Sequence, residues 1–376
     1  MKIIYTIAGL YRPAGMERIL TAKANYLSMH GYEVVIVTTE QKGRPSAFAL
    51  DEVVRCVDLG IGYEDNNGAS LWDKLIHYPG KHRRHKKALK ALLLRERPDI
   101  TVSMFCGDER FLPRIKDGSK NILEVHFSRF KRLQYERKGL WGWIDRLRSK
   151  QDSRIITRFD RFVTLTREDY KYWGAPGNAV VIPNFVEHYP QKTADLSAKV
   201  VLAVGRFSHQ KAFSRLIESW YRATLELGHG HGWQLLLVGS GELKAELQNQ
   251  IHVSGLDGCA RILEPTTEID TVYRNASIMA LSSRYEGLPM VLLEAQSYGI
   301  PAVAFDCKCG PRDVILDGED GFLIPEGDTD AFARALVKLI QDDKLRLRMG
   351  DAARKNSSRW DKEKIMKQWT DLFCSI

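Results

Sequence analysis

The stretch SIMALSSRYEGLPMVLLEAQSYGIPAVAFD (277–306) reads as a strand, a tight turn, a helix and a second strand. Each end is an apolar run of the length of a strand, and the longer stretch between the two runs is long enough for a turn and a helix. Gly287 permits a tight turn, and Pro289 suits the first residue of a helix because its missing N–H costs nothing there. We therefore predict a helix from Pro289 to about Gly299 between two parallel strands.

The same alternation of short aliphatic runs and amphipathic stretches continues along the whole chain. It is typical of parallel sheets built from strand–helix–strand units. Six predicted strands precede a polar linker, residues 186–199, and six follow it. The predicted strands are residues 2–7, 32–39, 99–105, 121–127, 161–166, 179–185, 200–207, 233–240, 260–265, 277–283, 301–306 and 321–325.

This pattern predicts an α/β fold of two doubly wound, Rossmann-like domains that face each other across a cleft. The predicted domains are residues 1–186 and 197–356, and a last helix over 360–376 is expected to pack back on the first domain. The length of 376 residues favours two domains, and 44% apolar with 27% charged residues is a globular composition. Strands this continuously apolar are covered on both faces, so ligands should bind beyond their carboxyl ends.

No run approaches the ~20 apolar residues of a membrane span, and the apolar N-terminal stretch is too short for a signal peptide. The six cysteines are scattered without a CxxC pair, which is typical of reduced thiols, so we expect a cytoplasmic protein. Residues 1–190 carry 33 basic and 22 acidic residues, whereas the remainder carries 23 and 25. The net positive charge of the chain thus belongs to its first half.

Two glutamates mark the predicted helix start after residue 287. The N–H groups of Leu288, Met290 and Val291 are expected to point toward a ligand, as helix N-termini do toward phosphate. The side chains of Glu286 and Glu294 would point toward the same ligand site. Carboxylates there would accept hydrogen bonds from sugar hydroxyls, whereas they would repel phosphate. The alternative is that Glu286 complements the helix dipole and Glu294 pairs with a buried base.

A second strand–turn–helix layout, AVGRFSHQKAFSRLIESW (203–220), carries Gly205, Arg206 and Lys211 at its turn. Arginine offers a fork for bidentate phosphate contacts, and lysine offers a mobile point charge. Opposite a helix end that suits phosphate, the two cations favour a diphosphate. A solvated basic surface is the alternative.

The first half contributes two weaker candidates. Gly15 lies in the long turn after the first strand, where backbone could approach a phosphate, although a simple turn explains it equally well. His126 closes the apolar strand NILEVHF (121–127) at its carboxyl end, but a lone histidine is more often structural. The chain lacks the GxGxxG motif of a dinucleotide site, which argues against a dehydrogenase.

These motifs together resemble those of the retaining glycosyltransferases of family four, which have two Rossmann-like domains in the GT-B arrangement. EGLPMVLLE (286–294) is similar to that family's E-x7-E signature, and GRFSHQK (205–211) to its phosphate-binding element. AGMER (14–18) and VIPNFV (181–186) are similar too. FDCKCGPRDVI (305–315) looks like the subset that adds galactose or N-acetylgalactosamine in bacterial surface-glycan assembly.

The resemblance implies a role for each candidate residue. Arg206 and Lys211 would bind the donor diphosphate, Glu294 the ribose hydroxyls and Glu286 the transferred sugar. His126 would lie against the donor sugar near the reacting carbon, and Gly15 in the loop that closes over the phosphates. The rest of the implied nucleotide-sugar site is Gly205, Gly287, Leu288, Pro289, Met290 and Val291.

The implied reaction moves a hexose or N-acetylhexosamine from a UDP-sugar to a glycan or polyprenyl-diphosphate-linked sugar, with retention at the sugar carbon. Cations and helix amides that stabilise the departing phosphate would be the main catalytic groups. The resemblance implies no metal and no cofactor. A UDP-sugar epimerase of the same two-domain shape and a non-catalytic nucleotide-sugar-binding protein remain the alternatives.

Two basic segments, residues 81–97 and 128–150, contain much of the excess charge, and the second includes Trp141 and Trp143. Such segments suit an anionic membrane surface or a lipid diphosphate acceptor. RNA binding and an ordinary solvated helix face are the rival interpretations. We expect a peripheral protein on the inner face of the membrane and no nucleic-acid partner.

Overall fold

The structure, a computed structural model, describes residues 1–66, 71–131, 133, 139–187, 189–228 and 230–376. The chain divides into two compact units. The first consists of Met1–Pro183 with the C-terminal segment Ile365–Ile376, and the second of Asn184–Lys364. Among the described residues, no helix is both long enough and apolar enough to cross a bilayer.

Seven parallel strands form the sheet of the first unit. They are β1 (Lys2–Ile7), β2 (Glu33–Thr38), β3 (Arg55–Asp58), β4 (Ile100–Ser103), β5 (Lys120–Glu124), β6 (Arg161–Thr164) and β7 (Ala179–Val181). Their order across the sheet is β3-β2-β1-β4-β5-β6-β7. After β1, the chain adds β2 and β3 on one side of it and then adds β4 to β7 on the other side. The sheet is therefore doubly wound.

Six parallel strands form the sheet of the second unit. They are β8 (Val200–Val204), β9 (Gln234–Val238), β10 (Ala260–Leu263), β11 (Ile278–Leu281), β12 (Ala302–Phe305) and β13 (Gly321–Ile324). Their order is β10-β9-β8-β11-β12-β13. The direction of building therefore reverses between β8 and β11, in the same way as between β1 and β4.

Helices connect and cover the strands of both sheets. They are α1 (Gly15–Met29), α2 (Leu71–Glu96), α3 (Gly139–Ile155), α4 (Arg167–Tyr172), α5 (Phe213–Leu227), α6 (Lys244–Val253), α7 (Ile269–Arg274), α8 (Met290–Ser297), α9 (Pro311–Val314), α10 (Thr329–Gln341), α11 (Asp343–Asn356) and α12 (Lys362–Cys374). In α5, Leu216, Trp220 and Ala223 recur at helical spacing and are all buried in the core of the second unit.

The predicted α/β fold of two doubly wound parallel sheets is confirmed, and all twelve predicted strands are present. One strand, β3, was not predicted. It lies at the edge of its sheet, and of its four residues Arg55, Cys56 and Asp58 are exposed while Val57 is partly buried. An edge strand without a buried face has no period-two apolar pattern to detect.

Candidate active site

The candidate residues of the second unit follow β8 and β11, the two neighbouring strands between which the order of the sheet reverses. Loop 205–212 follows β8, and loop 282–289 follows β11. Carboxyl ends of parallel strands meet at one edge of the sheet, and such a reversal is where open α/β sheets bind ligands. The topology therefore brings the two predicted motifs to one place.

Three hydrogen bonds tie these two loops together. The Ser282 hydroxyl donates to the backbone oxygen of Lys211 over 2.8 Å. The N–H of Arg284 donates to the Gln210 carbonyl over 2.8 Å, and the Gln210 side chain donates to the Tyr285 carbonyl over 3.0 Å. Loop 205–212 is thus fixed to its neighbour at Gln210 and Lys211.

An ion pair joins the predicted cation and the predicted carboxylate of the two loops. Lys211 Nζ lies 2.6 Å from Glu286 Oε1, and the Ser283 hydroxyl donates to the same oxygen over 2.6 Å. The Glu286 side chain is 7% exposed, whereas that of Lys211 is 19% exposed. Glu286 therefore holds Lys211 while leaving part of the lysine open to solvent. Arg206 is exposed near the start of the same loop.

A third loop, which follows β9, packs against loop 205–212 through two glycines that sequence analysis did not identify. A Cβ at Gly239 would collide with the carbonyl oxygen of Gly205, and one at Gly241 would collide with the carbonyl oxygen of Phe207. The Phe207 N–H also donates to the Ser240 carbonyl over 2.8 Å. The two glycines of VGSG (238–241) thus let two backbone segments touch.

Helix α8 begins one residue later than predicted. Pro289 is its N-cap, with an extended ψ of 95°, and Met290 is the first helical residue. The helix ends at Ser297, two residues before the predicted end. The first-turn N–H groups of Met290 and Val291 have no partner within the helix, whereas Leu288 lies outside it. The helix N-terminus, with its partial positive charge, thus begins after Pro289.

Glu294 lies in the second turn of α8, where its carboxylate has a specific neutral partner. The Tyr273 hydroxyl, from α7, donates to Glu294 Oε2 over 2.5 Å. Tyr273 is 1% exposed, and its ring stacks on that of Tyr298 with centroids 5.2 Å apart. A fixed phenol therefore orients the carboxylate that interrupts the apolar run. This partner lies 21 residues upstream, and no short-range pattern pointed to it.

The two candidates of the first half lie in the first unit. Gly15, predicted to lie in the turn after the first strand, is instead the first residue of α1, directly after the N-cap Ala14. His126 lies two residues beyond the end of β5, and its Nε2 is 2.8 Å from Glu124 Oε1. Its side chain is 7% exposed.

Among the described residues, no group of three or more His, Cys, Asp or Glu side chains could share a metal ion. The sequence Asp328-Thr329-Asp330 imitates a metal-binding motif, yet both carboxylates have other partners. Asp328 caps α10 by accepting from the Ala331 N–H over 2.8 Å. Asp330 pairs with Arg222 over 2.5 Å.

Two family models together cover most of the chain. Glycosyltransferase Family 4 matches residues 13–188, and Glycosyl transferases group 1 matches residues 186–356. A relative that is 38% identical spans 99% of this chain. The chain belongs to the glycosyltransferases of family four, and the predicted family resemblance is confirmed.

That relative is the amylovoran biosynthesis glycosyltransferase AmsD of Erwinia amylovora, matched over 99% of its own length. An α-1,4-N-acetyl-D-galactosaminyltransferase of Campylobacter jejuni, whose name specifies a PP-undecaprenol-linked saccharide, is 23% identical over 100% of this chain and 99% of its own. The fold is similar to that of a mutant S. aureus TarM in complex with Fondaparinux, alpha-GlcNAc-glycerol and UDP, with a TM-score of 0.76, 15% identity and 99% of each chain covered.

The chain is therefore an enzyme, a glycosyltransferase with the two parallel-sheet domains of the GT-B class. The two alternatives, a UDP-sugar epimerase and a non-catalytic binding protein, are not favoured, because the full-length relatives are glycosyltransferases.

The contact between the loops after β8 and β9 gives the first prediction. Gly239→Ala should destabilise the second unit by about 1–3 kcal/mol, because the new methyl group would meet the backbone of loop 205–212. Gly258→Ala is the matched control, since a Cβ there meets nothing within 4 Å. Thermal unfolding of both variants measures the difference. Equal melting temperatures for the two would show that the loops are not in close contact.

Proposed function

We propose that the enzyme transfers a hexose or N-acetylhexosamine from a UDP-sugar to a glycan or polyprenyl-diphosphate-linked sugar, with retention of configuration, in surface-polysaccharide assembly. The observation that carries the proposal is the meeting of Lys211, Glu286 and the start of α8 at the reversal point of the second sheet. The TarM structure contains UDP, and the name of the Campylobacter relative specifies a lipid-linked saccharide.

The leaving diphosphate would be stabilised by three positive groups. Lys211 supplies a mobile charge, Arg206 an exposed guanidinium, and α8 the free N–H groups of its first turn. Lys211 is neutralised by Glu286 before the donor arrives. Donor binding would then shift the ammonium toward the diphosphate and leave the Glu286 carboxylate to accept hydrogen bonds from hydroxyls of the transferred sugar.

Glu294 would bind the ribose hydroxyls, held in position by the Tyr273 hydroxyl. In the first unit, His126 would contact the donor sugar and Gly15 would approach the phosphates. A front-face reaction is proposed, in which the acceptor hydroxyl arrives on the face from which the diphosphate leaves. The reaction needs no metal in this proposal, because positive charges of the protein balance the diphosphate.

The reaction is tested by supplying UDP-galactose or UDP-N-acetylgalactosamine with and without a polyprenyl-diphosphate-linked sugar. The parent should release UDP only when the acceptor is present. Lys211→Ala or Arg206→Ala should lower turnover by about 10²-fold or more, as expected for lost stabilisation of the leaving group.

The exposed Lys344 provides the control, and its replacement by alanine should leave turnover unchanged. Near-parental turnover in both site variants would contradict the diphosphate assignment. Conversion of the donor to another UDP-sugar without UDP release would indicate an epimerase instead.

The second part of the proposal is peripheral binding to an anionic membrane. Helix α3 exposes Trp143 and Leu147, which are 57% and 46% exposed, beside the exposed Arg146 and Arg148. Aromatic rings favour the headgroup region, and basic residues are attracted to anionic lipid. The predicted basic segment 128–150 is described only in part, since residues 132 and 134–138 lie outside the described residues.

Helix α2 carries the other basic segment and has one buried and one charged face. Leu89, Leu92 and Leu93 are buried, whereas the remaining face carries exposed lysines and arginines. Four of these side chains are exposed and suit replacement: Arg83, Lys86, Lys87 and Lys90. Arg84 is different, because it donates to the backbone oxygen of Ile61.

The protein should bind anionic liposomes better than neutral ones, and less as the salt concentration rises. Each basic residue near the surface contributes about 1 kcal/mol, so the fourfold serine variant of Arg83, Lys86, Lys87 and Lys90 should lose most binding. Leu147→Ser should also weaken it. Sedimentation with liposomes of defined composition measures each effect.

Leu225→Ser is the matched control for Leu147, because Leu225 is an exposed helical leucine of the second unit. It should leave binding unchanged. Equal sedimentation with neutral and anionic lipid would identify both basic segments as ordinary solvated helix faces.

A further inference from the structure

A fully buried ion pair lies beneath His126 in the first unit. Lys23, from α1, places its Nζ 2.6 Å and 2.5 Å from the two carboxylate oxygens of Glu124, the last residue of β5. Both side chains are 1% exposed. The roles proposed above for the enzyme do not involve this pair.

The same carboxylate contacts the imidazole of His126. Burial alone would raise the pKa of Glu124, but Lys23 and His126 outweigh it and hold that pKa at about 2. Glu124 is therefore ionised and can only accept hydrogen bonds. His126 Nε2, 2.8 Å away, must then carry a proton, and in the neutral form of the ring Nδ1 is an acceptor.

The C-terminal helix closes the other side of the ion pair. The ring of Trp369, from α12, lies 4.0 Å from Lys23 Nζ, and Trp369 is 1% exposed. The ring of Tyr5, from β1, lies 5.5 Å from the same atom. Three elements other than its own helix thus surround the lysine, and the lysine binds both oxygens of Glu124.

Stability alone does not account for this arrangement. Removing two charges from water is costly, and a pair of well-packed apolar residues often serves a core equally well. Carboxylates that hold the second nitrogen of a histidine, by contrast, set its tautomer and orientation. The placement of the pair directly beneath His126 matches that second use.

We infer that Glu124 is a positioning residue, which together with Lys23 holds His126 with Nε2 protonated and Nδ1 ready to accept a hydrogen bond from a hydroxyl of the transferred sugar. The inference rests on the proposed role of His126 in sugar transfer. It adds a specific protonation pattern and two residues that act through the histidine.

Nuclear magnetic resonance of the unmodified enzyme tests the protonation pattern directly. The chain has ten histidines, so ¹⁵N-histidine labelling gives a tractable spectrum, and the signals lost in His126→Ala identify the residue. We expect a neutral ring with the proton on Nε2. A proton on Nδ1, or on both nitrogens, at neutral pH would overturn the inference.

A double-mutant cycle tests the functional coupling. Glu124→Gln should lower kcat at saturating donor by about tenfold or more, as for other residues that orient a functional histidine. In the His126→Ala background the same change should alter kcat by less than about twofold, because Glu124 acts through the histidine. A structural role would instead give losses that multiply.

Glu96→Gln is the matched control. Glu96 also accepts hydrogen bonds from two cations, Lys2 and Arg55, and also has a pKa of about 2, but it lies beside the first residues of β1 and β3. It should leave kcat unchanged.

The outcomes separate the inference from the function on which it rests. Full transfer by His126→Ala would overturn the proposed role of the histidine and that of Glu124 with it. Loss of transfer in His126→Ala with parental kcat in Glu124→Gln would overturn the inference alone. If Glu124→Gln does not fold, the protonation pattern of the unmodified enzyme decides.

Discussion

The ion pair between Lys211 and Glu286 ties together the loops after β8 and β11, and the geometry of the site depends on it. Each member alone would be a largely desolvated charge, which is costly without a partner. Together they stabilise each other before a ligand is present. Because Lys211 remains 19% exposed, the diphosphate of the proposed donor would reach it without opening the core of the unit.

Two of the enzyme's lysine–glutamate pairs have opposite character. The pair in the second unit is partly exposed to solvent. Its carboxylate also accepts a hydrogen bond from the Ser283 hydroxyl, so Glu286 can exchange Lys211 for another partner. The pair of Lys23 and Glu124 is fully buried and is enclosed by Trp369. The first arrangement suits binding and release of a charged substrate, and the second suits permanent orientation of a neighbouring group.

The sequence was sufficient for the fold and for the family, because both depend on local patterns. Apolar strands and the spacing of Glu286 and Glu294 are readable along the chain. Partners that are distant in sequence were not readable. Tyr273 holds Glu294, Lys23 holds Glu124, and Gly239 permits loop contact, yet each acquires its role only when strands from separate parts of the chain become neighbours.

The central claim is that the second unit binds UDP by contacts to the ribose hydroxyls and the diphosphate of the nucleotide, without a metal. Calorimetric titration with UDP and with 2′-deoxy-UDP, both in EDTA, tests it most directly. The parent should bind UDP more tightly than 2′-deoxy-UDP. Glu294→Gln should weaken the binding of UDP about tenfold, because a charge-assisted hydrogen bond is lost, and should weaken the binding of 2′-deoxy-UDP less. Absence of UDP binding in EDTA would contradict the account. So would equal weakening of the binding of both ligands by Glu294→Gln.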